Sequence, residues 1–417
     1  MGDGPLLLLR RMLNRFIRVG TLRIVTWDGC VHEFVGSSDP TVTIAIHDPR
    51  VPFRLARNAY LYLGEAYMDG TLTVEDGTIH DFLDLCGRNL ERCYTLPFHG
   101  ALLRVNQLLR RFRQLNPLRR ARRNVAHHYD ISNEFFDLFL DADRQYSCAY
   151  FGQPDDSLEI AQERKKRHIA AKLYLQPGQK VLDVGSGWGG LARYLAGVEQ
   201  VDVTGVTLSE EQLRYAREQS EKQGLGRCTH FHLRDYREVT GRYDRIVSVG
   251  MLEHVGFNYY REFFGKIYEL LDDDGVALVH SIGHADGPDD TAAWIRKYIF
   301  PGGYSPALSE IIPVVEKSGL LVTDIEVLRL HYADTLREWS RRFTHNRGQV
   351  AAMYDERFCR MWEFYLAVSE MGFRWLNLMV FQLQLTKRKD ALPLTRDYIF
   401  EWECRSNRPR YTQEPSG

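Results

Sequence analysis

KVLDVGSGWGGLARYLA, Lys180 to Ala196, runs from a short apolar stretch into a turn with four glycines among six residues and then into a helical pattern. An apolar stretch of this length, closed by glycines and followed at once by helix, reads as a buried strand of a strand–helix alternation. The alternation continues downstream. VDVTGVTL, CTHFHL, YDRIVSVG and GVALVHSIG read as further strands, with SEEQLRYAREQSEKQG and NYYREFFGKIYELL as helices between them. That order predicts a parallel, doubly wound α/β sheet. Ligands on such sheets sit beyond the carboxyl ends of the strands, where the turn Gly185-Ser186-Gly187-Trp188-Gly189-Gly190 lies. Just past another strand end, RIVSVGMLEHVGF places a carboxylate and an imidazole, Glu253 and His254.

The glycine spacing also fits a dinucleotide turn, but that reading needs a carboxylate at the end of the second strand, and this strand ends at Thr207. Asp183 instead stands inside the first strand, ahead of the glycines, as in the D-x-G-x-G turn of S-adenosylmethionine (SAM) methyltransferases. Glycines there allow close backbone approach to a ligand without phosphates.

Composition sets the wider frame. A chain of 417 residues favours two domains, and 44% hydrophobic with 26% charged residues and a net charge of −1 is ordinary globular composition. The seven cysteines, Cys30, Cys86, Cys93, Cys148, Cys228, Cys359 and Cys404, are scattered and without metal spacing, which predicts a reducing cytoplasm and no metal. No run approaches the roughly 20 apolar residues of a bilayer span.

Toward the amino terminus, TLRIVTWDGCVHEFV alternates around Asp28-Gly29 and predicts a hairpin. TVTIAIHDP adds a strand, and helical periodicity near 51–67 and 78–92 completes a small α+β domain over residues 1–100. A basic linker, 101–125, follows, with eight arginines and no acid between Arg104 and Asn124. In Pro5–Gly20, Arg10, Arg11, Asn14, Arg15 and Arg18 share one helical face and Leu6, Leu9, Leu13, Phe16 and Ile17 largely the other. Both segments predict peripheral contact with an anionic membrane, each arginine contributing on the order of 1 kcal/mol. Nucleic acid is disfavoured, because neither segment interleaves aromatics for base stacking.

AHHYDISNEFFDLFLD, YSCAYF, GVTLSEEQ, RDYREV, SVGMLEHVG, ALVHSIG, YIFPGGYSP and HYADTLREWSRRF, with the glycine turn, occur in one order from residue 126 to about 390. With them the chain resembles the cyclopropane-fatty-acyl-phospholipid synthases, akin to the mycolic acid cyclopropane synthases. The resemblance implies a mostly parallel seven-stranded SAM-methyltransferase sheet with a helical insertion over 126–417, beside the small α+β domain. It implies SAM as methyl donor and a methylene placed across a cis double bond of an unsaturated membrane phospholipid. It further implies bicarbonate as the base that closes the ring, with Glu253, His280 and Tyr332 and the backbone of Cys148 and Ile282 as its ligands. The SAM contacts carried over are Tyr146, Ser147, Asp183, Gly185, Gly187 and Gly189. To these the resemblance adds Thr207, Leu208 and Gln212 at the nucleoside and Asp235 with Tyr236 at the adenine. Ser186 replaces the cysteine of many relatives.

A nucleophilic Cys148 is rejected, since no histidine lies near it in sequence to activate it. The aromatic stretch from Gly283 to Pro313 exceeds a usual connection of about 2–6 residues. It reads equally as a surface insertion or as a lid whose Trp294, Tyr298, Phe300 and Tyr304 line an acyl channel. The helix around Asp355–Met371 reads as core. A methyl- or methylene-branching enzyme of the same family, and a methyltransferase of another small molecule, remain alternatives. The expected location is the cytoplasmic face of the membrane, and sequence does not decide between a monomer and a homodimer.

Overall fold

The computed structural model describes residues 4–90 and 132–405. The linker read at 101–125, the domain boundary near 100 and the motif start at Ala126 lie outside them.

The amino-terminal unit is a four-stranded sheet, β1 (Val19–Val25), β2 (Val31–Val35), β3 (Ser37–Ile46) and β4 (Leu72–Asp76), in the order β2-β1-β3-β4. The expected hairpin joins β1 to β2 with Leu22 opposite Phe34. β3 then returns parallel to β1, at once after β2. Gly36 permits that reversal: a Cβ there would lie 2.3 Å from the Arg18 carbonyl carbon. Helices α1 (Gly4–Phe16), α2 (Val51–Met68) and α3 (Ile79–Leu90) complete the unit. β4 escaped the sequence reading because LTVED carries too few apolar residues to register as a strand.

α1 corrects one expectation. Its arginines Arg10, Arg11 and Arg15 are exposed. Leu9 is buried, Leu13 and Phe16 pack against the domain core, and Ile17 is buried just beyond the helix. The apolar face at Leu9, Leu13 and Phe16 is therefore turned to the domain itself rather than to a bilayer, while the basic face is exposed.

The larger sheet contains β5 (Lys180–Val184), β6 (Asp202–Thr207), β7 (Thr229–Leu233), β8 (Tyr243–Val249), β9 (Leu271–His284), β10 (Leu321–Val327) and β11 (Leu378–Thr386). Their order is β10-β11-β9-β8-β5-β6-β7, and β11 alone runs antiparallel to its neighbours. The order reverses between β5 and β8, so a crevice opens at the carboxyl end of β5, the switch point where such sheets bind ligands. Apolar clusters cover both faces, as a parallel sheet requires.

The two units pack closely. α3 and α2 lie against the helix Glu356–Trp375, which is core as expected. Gly87 leaves room for Trp375, whose indole N–H donates to Asp84 at 2.6 Å. His80 reaches Glu370 at 3.1 Å and Ser340 at 2.5 Å. The insertion after β9 also docks here. Trp294 sits against Gly64 and Met68 of α2, and Tyr298 donates to Glu65 at 2.9 Å. These two residues therefore serve the interface between the units rather than an acyl channel. Tyr304 is buried, with its hydroxyl donating to Glu310 at 2.6 Å. Of the four candidates only Phe300 stands beside a ring of the crevice, that of His254, at 6.0 Å.

Candidate active site

The glycine turn shapes the crevice from the backbone outward. Gly185 and Gly187 hold φ of +83° and +54°, a region in which a side chain is strained. The amides of Gly185 and Ser186 both donate to the Val206 carbonyl, at 3.0 and 2.9 Å, which ties the turn to β6. A Cβ at Gly187 would meet nothing within 4 Å, so the turn is open on the cavity side. Gly189 differs. It does not line the cavity, and a Cβ there would lie 2.8 Å from both Ala216 and Phe231. It too holds a positive φ, +79°, and its lack of a side chain lets the following helix, Gly190–Glu199, pack closely against the sheet.

Ten of the eleven residues expected to contact SAM line this one cavity: Tyr146, Ser147, Asp183, Gly185, Gly187, Thr207, Leu208, Gln212, Asp235 and Tyr236. Asp183 is buried, and its Oδ2 has no hydrogen-bond partner among the described residues. Burial pushes its carboxyl up to about 7, against a smaller opposing pull from Lys165. An unpartnered buried carboxylate oxygen aimed at a cavity calls for a ligand with N–H or O–H donors. SAM, with its amine and ribose hydroxyls, meets that need. At the far end, Thr207 donates to Gln212 at 2.9 Å. Asp235 accepts two bonds of 2.8 Å from Arg237, so its carboxylate is already engaged.

Behind the cavity lies a second polar site. Glu253 follows β8 in a short helical turn, Leu252–Val255, and its Oε1 accepts the Ile282 amide N–H at 2.7 Å. Its Oε2 has no partner among the described residues, and burial pushes the carboxyl up to about 7. The Ile282 N–H expected to serve an anion is thus engaged by Glu253. His280, two residues earlier on β9, is buried and held neutral, pushed down to about 3 mainly by desolvation. Val249, its register partner on β8, lines the cavity.

Cys148 and Tyr332, the other two residues expected there, are both buried and are linked to each other through one helix. The Ala149 amide donates to Thr335 at 3.0 Å, which fastens the Cys148 segment to the helix His331–His345, whose second residue is Tyr332. Tyr146 stacks on Trp339 at 5.2 Å, and Tyr332 meets the same indole edge-on at 5.8 Å. Burial raises the Cys148 thiol far above its ordinary range, which removes it as a nucleophile. None of Glu253, His280, Tyr332, Cys148 or Ile282 forms the cavity wall, although Ser147, Val249 and His254, neighbours of three of them, do. His254 does line the cavity, pushed down to about 4 by burial.

Lys165 was missed by sequence reasoning. It is fully enclosed, donates to Gln145 at 2.7 Å and to Ser147 at 2.8 Å, and burial lowers it to about 7. In LEIAQERKKRHIAAKL it is one of five lysines and arginines on a polar helix, and nothing in the spacing marks it as buried. Pro301 and Gly302, at the end of the insertion, also line the cavity. No group of side chains among the described residues has the makings of a metal site.

Known proteins bear on this geometry. The family profile of mycolic acid cyclopropane synthetases matches residues 116–383, and that of a domain of unknown function matches residues 8–95. A probable fatty acid methyltransferase from Pseudomonas putida is 37% identical over 366 residues, covering 86% of this chain and 90% of its own. The cyclopropane-fatty-acyl-phospholipid synthase of Escherichia coli K12 is 36% identical over 345 residues, covering 82% of this chain and 87% of its own. Among solved structures, a mycolic acid cyclopropane synthase complexed with SAH and CTAB superposes with a TM-score of 0.61 at 34% identity. That match covers 65% of this chain and 99% of the other.

Proposed function

The chain belongs to the mycolic acid cyclopropane synthetase family and is a SAM-dependent methyltransferase, and from that premise we propose that it builds a cyclopropane ring on an unsaturated acyl chain of a membrane phospholipid. The observation that carries the reading is the pair of buried carboxylates, Asp183 and Glu253, each with one oxygen unpartnered among the described residues, at the ends of neighbouring strands. One methyltransfer site needs only the first. The second, beside a neutral imidazole, suits a reaction that must also dispose of a proton.

SAM supplies an electrophilic methyl group. Asp183 and the Gly185–Gly187 turn would hold it against the acyl chain, and exclusion of water would favour attack by a weak alkene nucleophile. Methylation of an alkene leaves a carbocation on the acyl chain, and ring closure requires a proton to leave the added methyl. Bicarbonate is the proposed proton acceptor, with Glu253, His280 and Tyr332 and the backbone at Cys148 as its holders. Glu253, with its carboxyl near 7, can accept an O–H hydrogen bond, while His280 and Tyr332 donate. Because the Pseudomonas putida relative is named a fatty acid methyltransferase, a methyl- or methylene-branched product is the second reading.

We also place the enzyme at the inner face of the membrane. Exposed Arg10, Arg11 and Arg15 and the acid-free run from Arg104 to Asn124 support that contact. No helix among the described residues is long and apolar enough to cross a bilayer. The overall reading is tested by incubating the protein with SAM and unsaturated phospholipid vesicles, with acyl chains gaining one CH2 as the expected result. Sedimentation with anionic vesicles tests the location, and binding that raised salt leaves undiminished would remove it.

A further inference from the structure

We infer that Lys172 and Gln382 set the tautomer of His280, leaving its only proton on Nε2, the nitrogen opposite to the one Gln382 engages. The inference rests on the reading of His280 as a hydrogen-bond donor in the site, and it names the residues that make it one.

The argument runs along a chain of groups whose donor and acceptor roles leave no choice. Lys172 belongs to the helix Leu158–Leu173 and is fully enclosed. Its Nζ is ion-paired with Glu326 and donates to Gln382 Oε1 at 2.8 Å. An ammonium has donors and no acceptor, so the carbonyl end of the Gln382 amide must face it. The NH2 end then points the other way, across the register pair of β11 and β9, to Nδ1 of His280 at 3.2 Å. An amide nitrogen only donates, so Nδ1 accepts. A neutral imidazole carries one proton, and with Nδ1 accepting, that proton is on Nε2. Burial, which holds His280 far below its ordinary range, keeps it from taking a second.

The chain is anchored beyond Lys172. Glu326 also faces His168 Nε2 at 2.7 Å, and His168 Nδ1 faces Glu403 at 2.7 Å. Two carboxylates around one imidazole and one ammonium fix the charge pattern at the outer end, so the orientation of Gln382 is not free to reverse. Without that anchor Nδ1 and Nε2 would compete for the proton, and a share of the molecules would present an acceptor where a donor is required. Lys172 and Gln382 are thus positioning residues: they act on the reaction through His280.

Nitrogen-15 spectra of histidine-labelled protein test this, the His280 signals being those lost in His280→Gln. In the wild type, Nδ1 is expected at the pyridine-like position and Nε2 at the pyrrole-like one. In Gln382→Glu an acceptor-only carboxylate faces Nδ1 and should draw a proton onto it, moving that resonance to the pyrrole-like position. kcat should then fall by about 10²-fold with SAM affinity retained. In Gln382→Met, which removes the bond without replacing it, both tautomers should appear. A pyrrole-like Nδ1 in the wild type, which needs no variant to fold, overturns the inference. If the proton moves in Gln382→Glu and turnover does not change, the positioning role is overturned through the assigned role of His280, not through the chain of bonds.

Discussion

The cofactor cavity and the deeper carboxylate–imidazole site meet along β8 and β9, and they are assembled in opposite ways. The cavity takes its walls from strand ends and the turns directly after them: Asp183 to Gly187 after β5, Thr207 to Gln212 after β6, Asp235 and Tyr236 after β7. Each wall is a local segment whose backbone does much of the shaping. The deeper residues come from separate stretches and are held by side-chain bonds and ring contacts: Glu253 by the Ile282 amide, the Cys148 segment by Thr335, and Tyr332 against Trp339. On the proposed function, the first binds SAM and the second handles a proton. The two should therefore fail differently when damaged.

Glu253→Gln gives the largest separation. It keeps the shape and the bond to the Ile282 amide while removing the carboxylate, so turnover should fall by roughly 10²- to 10⁴-fold with SAM affinity intact. Calorimetric titration beside initial rates reads both quantities. Equal losses in the two would mean that the deeper site is part of the cofactor site, and the comparison would collapse.

Within the cavity, neighbouring glycines sharpen the contrast further. Gly187→Val puts a branched side chain at φ +54° on the open side of the turn, and it should reduce SAM affinity by at least about tenfold through strain and occlusion, with the fold kept. Gly189→Ala should do the reverse. Its Cβ would press on Ala216 and Phe231 at 2.8 Å, an overpacking worth about 1–3 kcal/mol, and would be strained at φ +79°, so thermal stability should drop while the folded fraction still binds SAM.

A smaller effect appears in the pH dependence of stability without cofactor. Asp183 is raised from 3.8 to about 7 and Glu253 from 4.5 to about 7, both by burial. The folded state holds these protons more tightly than the unfolded chain, so their stabilising contribution is present at low pH and is lost as pH climbs through about 7. Asp183→Asn, which cannot titrate, should therefore gain stability relative to the wild type over that rise, by denaturant unfolding. A difference that stays constant with pH would mean that Asp183 titrates normally.

The same contrast decides what was legible in the sequence. Gly185, Gly187 and Asp183 announce themselves because a turn needs glycine where φ is positive and because spacing is a local property. Gly189 shares that spacing and a φ of +79°, but its close contact with Phe231 exists only in the fold. Glu253, His280 and Tyr332 lie in unrelated segments, and only resemblance to a family could join them. Lys165, Lys172 and Gln382 had no signal at all, because charged and amide side chains on a polar helix or a strand look solvated until burial and partners are known. Trp294 and Tyr298 were legible as aromatic but not as interface, since their partner, α2, lies more than two hundred residues away in the chain.

The central claim is that a proton leaves the transferred methyl to close a ring, and the product's proton spectrum tests it most directly. A cyclopropane and an exocyclic methylene each add one CH2, so mass does not separate them, whereas cyclopropane methylene protons resonate far upfield of vinylic ones. After incubation with SAM and unsaturated phospholipid vesicles, the extracted lipid should show upfield ring signals, and Glu253→Gln should remove them. Vinylic methylene or new methyl-branch signals with no ring protons would contradict the claim and make the chain a branching enzyme.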